Sequence, residues 1–164
     1  MYSAYVLPII DYGCVIYHPH SLRNIKLIES IQKYFVKRIP QFYHSRLSYS
    51  ERLAALHLDT LELRMIKIAL CYVYKIIYGH VDLPFTDFFR FTYTLHGTRG
   101  NGLKLAIENV KSNKRKFFFS VRLAKIWNSL PCHAVTCSSI KQFKSYLNES
   151  GIMQIIEKYT ILRY

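Results

Sequence analysis

Carboxylates are scarce in this sequence: 10 Asp and Glu stand against 23 Lys and Arg in 164 residues, a formal charge of +13. Metal-dependent phosphoryl or nucleotidyl transfer needs clustered acids holding divalent ions roughly 4 Å apart. The four aspartates, Asp11, Asp59, Asp82 and Asp87, include no adjacent pair. No catalytic residue, cofactor or metal ligand is therefore expected in the chain. Cysteine is equally sparse. Cys14, Cys71, Cys132 and Cys137 have scattered spacings, and Cys132-His133 with Cys137 lacks the second pair that zinc sites show, so reduced thiols are expected. Phosphate-cradling glycine loops and the nucleophile elbow are also missing. The nearest string, Gly97-Thr-Arg-Gly-Asn-Gly102, lacks the lysine and reads as a turn. The seven histidines are spread singly.

Long apolar runs are absent too. The longest candidate, Leu61 to Tyr78, is broken by Glu62, Arg64, Lys67 and Lys75, short of the ~20 residues a membrane span needs. No secretory leader is recognisable, so a nuclear or cytoplasmic protein, not secreted and without a membrane partner, is expected. With 51% hydrophobic and 15% aromatic residues, the chain can still bury a substantial core. The charge excess points to a polyanionic partner.

Periodicity predicts a mainly α fold: a helical domain of one or two lobes, with a loop-rich middle able to hold one short β-hairpin. A thumb-like helical region is expected over residues 1–80, a connector over 81–112 and a basic helical region over 113–164. Tyr2 to Tyr17 suits a short or kinked buried helix containing Pro8. From Ser21 to Ile39, Ile25, Ile28, Ile31, Phe35 and Ile39 share one helical face, and Arg23, Lys26, Lys33 and Lys37 the opposite one. Pro40 ends that helix. Ser48-Tyr-Ser-Glu51 and Ser139-Ile-Lys-Gln142 have the form of capping boxes. Thr60 to Tyr78 is apolar nearly all round and reads as the central core helix, closed by Gly79. Gly97, Gly100 and Gly102 mark the loop-rich middle. Helical patterning returns from about Asn113 to Leu130, before Pro131, and from Ser139 to about Ser150.

The cations cluster. On one continuous helix, Lys114, Arg115, Arg122 and Lys125 fall within about 100° of arc with Phe118 among them. Phe119, Leu123, Ile126, Trp127 and Leu130 take the far side. Cations beside an exposed ring suit phosphate contact with stacking. A solvated charged face over a core is the plainer reading of one such stripe. Two stripes, with Lys141 and Lys144 besides, favour binding, carried by Arg23, Lys26, Lys33, Lys37 and Arg38 on the first helix and by Lys114, Arg115, Phe118, Arg122 and Lys125 on the second.

Several strings stand in one order: Pro8-Ile-Ile-Asp-Tyr-Gly13, Leu27-Ile-Glu-Ser-Ile-Gln32 with Lys37-Arg-Ile39, Ser48-Tyr-Ser-Glu-Arg-Leu53, Leu61-Glu-Leu-Arg64 with Tyr74-Lys75 and Gly79, Thr98-Arg-Gly100, Phe118-Phe-Ser-Val-Arg122, Trp127-Asn-Ser-Leu-Pro131 and Ser139-Ile-Lys-Gln-Phe-Lys144. Together they resemble the segment after the palm in jockey-like LINE, or non-LTR retrotransposon, reverse transcriptases, over roughly residues 5 to 147. Tyr17 stands where that family usually has tryptophan, and Met65 where a second arginine is common. The resemblance implies a thumb and C-terminal extension that hold template and primer, RNA, DNA or hybrid, through their backbones. The parent's Mg2+ belongs to a palm with an aromatic-Ala-Asp-Asp motif that this chain does not contain, so that palm is the expected protein partner. Helical geometry, rather than the resemblance, assigns Trp127 and Leu130 to the core. A repurposed protein-interaction module and a non-functional retroelement remnant are the alternatives.

Overall fold

The computed structural model describes residues 2–44, 46–92 and 102–161, apart from the side chains of Asn113 and Lys114. The fold is mainly α. By internal contacts the chain divides into two compact units, Met1–Ile66 with Thr160–Tyr164, and Lys67–Tyr159.

The first unit opens with a π-helical turn, Tyr2–Val6, then α1 (Leu7–Asp11) and α2 (Cys14–Tyr17). Gly13, at φ 68°, makes the bend between α1 and α2, a conformation that a Cβ disfavours. The segment is kinked as expected, but it is not buried throughout. Leu7, Ile10 and Cys14 point inward while Ile9, Tyr12 and Ile16 stay in solvent.

The long amphipathic helix is α3 (Leu22–Lys37), started by Ser21, whose hydroxyl accepts from the Asn24 amide. Its buried seam is Ile25, Glu29, Gln32 and Val36, not the expected row through Ile28 and Ile31. The seam is rotated because its two polar members have remote partners. Glu29 accepts from the Tyr49 hydroxyl and from the Leu61 amide at 3.0 Å. Gln32 donates to the Asp59 carbonyl at 2.8 Å and accepts from the Tyr2 hydroxyl at 2.8 Å. Satisfied in this way, polar groups can be buried where an isoleucine was expected. Pro40–Phe42 forms a 3₁₀ turn after α3, and Val36, Phe42 and Leu53 pack together. The capping box forms at α4 (Tyr49–Ala55): Ser48 accepts from the Glu51 amide, and the Glu51 carboxylate accepts from the Ser48 amide at 2.6 Å.

α5 (Leu61–Ile77) contributes its residues through Ile66 to the first unit and the rest to the second. Its start is capped twice, by the Thr60 hydroxyl on the Leu63 amide and by the Glu29 carboxylate on the Leu61 amide. Gly79, at φ 66°, closes it, and the His80 amide donates back to the Lys75 carbonyl at 2.8 Å.

In the second unit, α6 (Phe85–Phe88) precedes an antiparallel bridge, Phe91 to Leu105. Thr92 and Ala106 donate across it to the Lys104 and Arg90 carbonyls. No longer strand forms among the described residues, and Gly97 and Gly100 lie outside them. Next come α7 (Asn113–Lys116), α8 (Phe119–Ser129), α9 (Cys132–Val135), α10 (Ile140–Tyr146) and α11 (Ser150–Glu157). At α10 only half the expected capping box appears: Ser139 accepts from the Gln142 amide, whereas the Gln142 side chain bonds to Ser138. The core is aromatic. Tyr74 stacks on Phe143 at 4.8 Å between ring centres, Trp127 meets Phe143 at 5.7 Å, and the Tyr74 hydroxyl donates to the Cys137 carbonyl.

Candidate nucleic-acid interface

On α3 the buried seam leaves the opposite side to solvent. Arg23, Lys26, Lys37 and Arg38 are exposed there. Lys33 sits on the shoulder, half-buried, with Nζ 4.9 Å from the centre of the Tyr49 ring. Arg38 lies over Tyr34, its guanidinium carbon 3.4 Å from the ring centre. Two features fix this arrangement: inward anchoring of Glu29 and Gln32, and the side-chain repeat of the helix, which puts Lys26, Lys33 and Lys37 on one flank. The cations are therefore held at fixed spacing on a rigid element and remain accessible.

The second cluster departs from the expectation. Asn113 to Leu130 is not one helix. Phe117 and Phe118 leave helical geometry, Phe118 being extended at ψ 148° and preceding α8 as its cap. The break lets Phe119 turn inward against Phe88 and Phe89, at 6.3 and 5.9 Å between ring centres, while Phe118 remains outside. Arg115 and Phe118 consequently do not share a helical face with Arg122 and Lys125. They meet each other instead: the Arg115 guanidinium lies 4.9 Å from the Phe118 ring centre and pairs with Glu108 at 3.1 Å. On α8, Arg122 is half-buried and Lys125 exposed. The Lys114 side chain lies outside the described residues. The two clusters belong to different units.

Trp127 and Leu130 are buried, as their place on the apolar side of the helix predicts. The Trp127 indole donates to the Leu103 carbonyl at 3.0 Å. Beside it the Asn128 amide accepts from the Leu105 amide at 2.8 Å and donates to the Leu105 carbonyl at 2.7 Å. These residues clamp the returning chain after the loop-rich middle.

Several of the acids have structural employment. Asp11 takes two nitrogens of Arg64, Glu51 caps α4, Glu62 accepts from the Ile161 amide at 2.6 Å, and Glu108 pairs with Arg115. Burial raises the pKa of Glu29, against the opposing hydrogen bonds from Tyr49, Leu61 and Glu62. The hydrogen bonds with Ser48 lower that of Glu51. Among the described residues no three His, Cys, Asp or Glu side chains are grouped to hold a metal ion. The four cysteines are thiols, with only Cys132 exposed, and burial raises the Cys71 pKa. No described helix is long and apolar enough to cross a membrane.

Sequence reasoning missed Tyr34, which stands three residues before Lys37 and four before Arg38 and so on the cationic side. The helical repeat carried that signal.

The sequence is similar to an uncharacterized protein of Caenorhabditis elegans, at 34% identity over 85 residues that make up 51% of this chain and 43% of that protein. The match thus spans less than half of the relative's length. No family model matches, and no solved structure does either.

Proposed function

We propose that this chain is a C-terminal segment of a retrotransposon RNA-directed DNA polymerase, gripping template and primer through their phosphates without sequence readout and without catalysing polymerisation itself. The carrying observation is the solvent-facing row of Arg23, Lys26, Lys37 and Arg38 on α3, within a chain of net charge +13. Cations presented along one rigid helix contact successive phosphates and specify no base. The ordered strings from Pro8 to Lys144 support the family part of this reading. Such a role calls for a nuclear or cytoplasmic setting, with Mg2+ held by the parent's palm.

The direct test is salt titration of binding to labelled duplex and hybrid. Log affinity should fall linearly with log salt, by about 0.9 per duplex phosphate contacted. The R23E/K26E/K37E variant should weaken every nucleic acid about equally and flatten that slope. Affinity indifferent to salt would count against the proposal. Sequencing the transcript upstream of the Met1 codon tests the parent: an in-frame palm with its aspartate pair is the expected result.

A further inference from the structure

We infer that the outer face of α3 takes single-stranded nucleic acid in preference to duplex, with an unpaired base stacked at Tyr34. This rests on the nucleic-acid reading above and adds the form of the partner. The cations form only half of the surface. Beside Arg23, Lys26 and Lys37, at the i, i+4, i+7 spacing of one helical row, lie Leu27, Ile31 and Tyr34, which are 68%, 39% and 54% exposed. Such a row normally faces a core. Here Ile25, Glu29, Gln32 and Val36 hold the inward position, and the row is left in water. Arg38 ends it, its guanidinium laid on the Tyr34 ring.

Charge complementarity requires a polyanion, and the apolar row selects among polyanions. A duplex satisfies the cations but keeps its base faces stacked inside, so Leu27, Ile31 and Tyr34 would meet only sugar and phosphate. An unpaired strand offers both phosphates and base faces. Its bases stack on aromatic rings and guanidinium planes whatever their identity. An anionic lipid surface also combines charge with apolar matter. Helices that lie on membranes, however, submerge a broad continuous apolar face, whereas this row is three side chains long and bordered by Arg23, Lys26 and Lys37, with Ile25 and Val36 turned inside the unit.

The test is fluorescence anisotropy of the whole chain with four probes: a single strand of about 20 nucleotides, an abasic strand of equal length, the matching duplex, and vesicles of phosphatidylserine and phosphatidylcholine. At equal salt the single strand should bind about tenfold tighter than duplex, and the abasic strand should fall to the duplex level. Y34A should weaken single-strand binding about tenfold and leave duplex binding and the salt slope unchanged. Y34L, which keeps apolar area without a ring, should fail to restore it. Equal affinity for strand and duplex, with Y34A neutral, overturns this inference and leaves the backbone reading standing. Absence of salt-dependent binding to every nucleic acid overturns both. Vesicle binding tighter than any oligonucleotide and lost in Y34A overturns it in favour of lipid.

Discussion

Arg64 grips Asp11 with two nitrogens, Nε 2.9 Å from Oδ1 and Nη2 2.6 Å from Oδ2, across 53 residues of sequence. The contact joins the segments Pro8-Ile-Ile-Asp-Tyr-Gly13 and Leu61-Glu-Leu-Arg64. It fastens α1 to the start of α5 within one unit. The hydrogen bond with Asp11 raises the Arg64 pKa, so the guanidinium stays charged throughout the accessible range. An arginine so engaged serves the fold more than a phosphate.

Breaking this pair should therefore cost stability and spare binding. The side chains are 39% and 22% exposed, so solvent screens them, and each of D11N and R64A should lose about 1 kcal/mol. R64K should recover little, because a lysine cannot present the two-pronged fork. Urea unfolding of the three variants with the double mutant gives the coupling, and oligonucleotide affinity should be unchanged in all of them. A large affinity loss in D11N would place Arg64 at the interface instead.

Glu29 connects α3, Tyr49 and the first turn of α5, and two substitutions separate its packing from its charge. In E29A the Leu61 amide and Tyr49 hydroxyl lose their acceptor inside the unit, at a cost of about 2–3 kcal/mol. In E29Q the amide oxygen can accept from Leu61 while its NH2 donates to the Tyr49 oxygen, so the loss should stay under about 1 kcal/mol. The pH dependence follows from the raised pKa of Glu29. A carboxyl that binds its proton more tightly when folded stabilises fully below its unfolded pKa and loses that contribution as pH rises through its folded pKa. Chemical denaturation of wild type and E29Q over this window should show wild type losing ground to E29Q with rising pH. The opposite trend would mean that the hydrogen bonds outweigh burial.

What was legible in the sequence is what is decided locally. The capping box at Ser48 and Glu51, the run of α5 and its closure at Gly79 need only neighbours a few residues away. The seam of α3 was misjudged because apolarity favours Ile28 and Ile31, whereas the fold buries Glu29 and Gln32 against Leu61, Asp59 and Tyr2. The break at Phe117 and Phe118 was equally hidden. A run of three phenylalanines does not say which one turns inward, and Phe88 and Phe89 decide it from about thirty residues away. Arg23, Lys26 and Lys37 of the cationic stripe were legible because their place on the helix opposite the seam is enough to expose them, whereas Lys33 is half-buried beside Tyr49.

Gly79 offers a clean measure of one such local rule. A Cβ there would meet nothing within 4 Å, so G79A carries no clash. The backbone at φ 66° nevertheless disfavours any L side chain. G79A should cost about 1 kcal/mol in denaturant unfolding, and G79N less, because asparagine tolerates that conformation better than alanine. Equal losses in the two variants would point to the chain leaving α5 along a different path.

Asn128 acts as a strand neighbour supplied by a side chain, giving and taking one hydrogen bond with the backbone of Leu105, itself buried. N128A leaves both groups of Leu105 unmatched and should cost about 1–3 kcal/mol. N128D is the sharper test because it keeps size and shape. Its carboxylate still accepts from the Leu105 amide but turns negative charge onto the Leu105 carbonyl, where the amide had donated. N128D should therefore destabilise about as much as N128A at neutral pH and recover in acid, once the carboxyl regains a proton to donate. Hydrogen exchange at the Leu105 amide reads the same contact locally and should quicken in N128A before the rest of Lys67–Tyr159 is affected. Unchanged protection at Leu105 in N128A would show that burial of Trp127 and Leu105, rather than the Asn128 clamp, holds the returning segment in place.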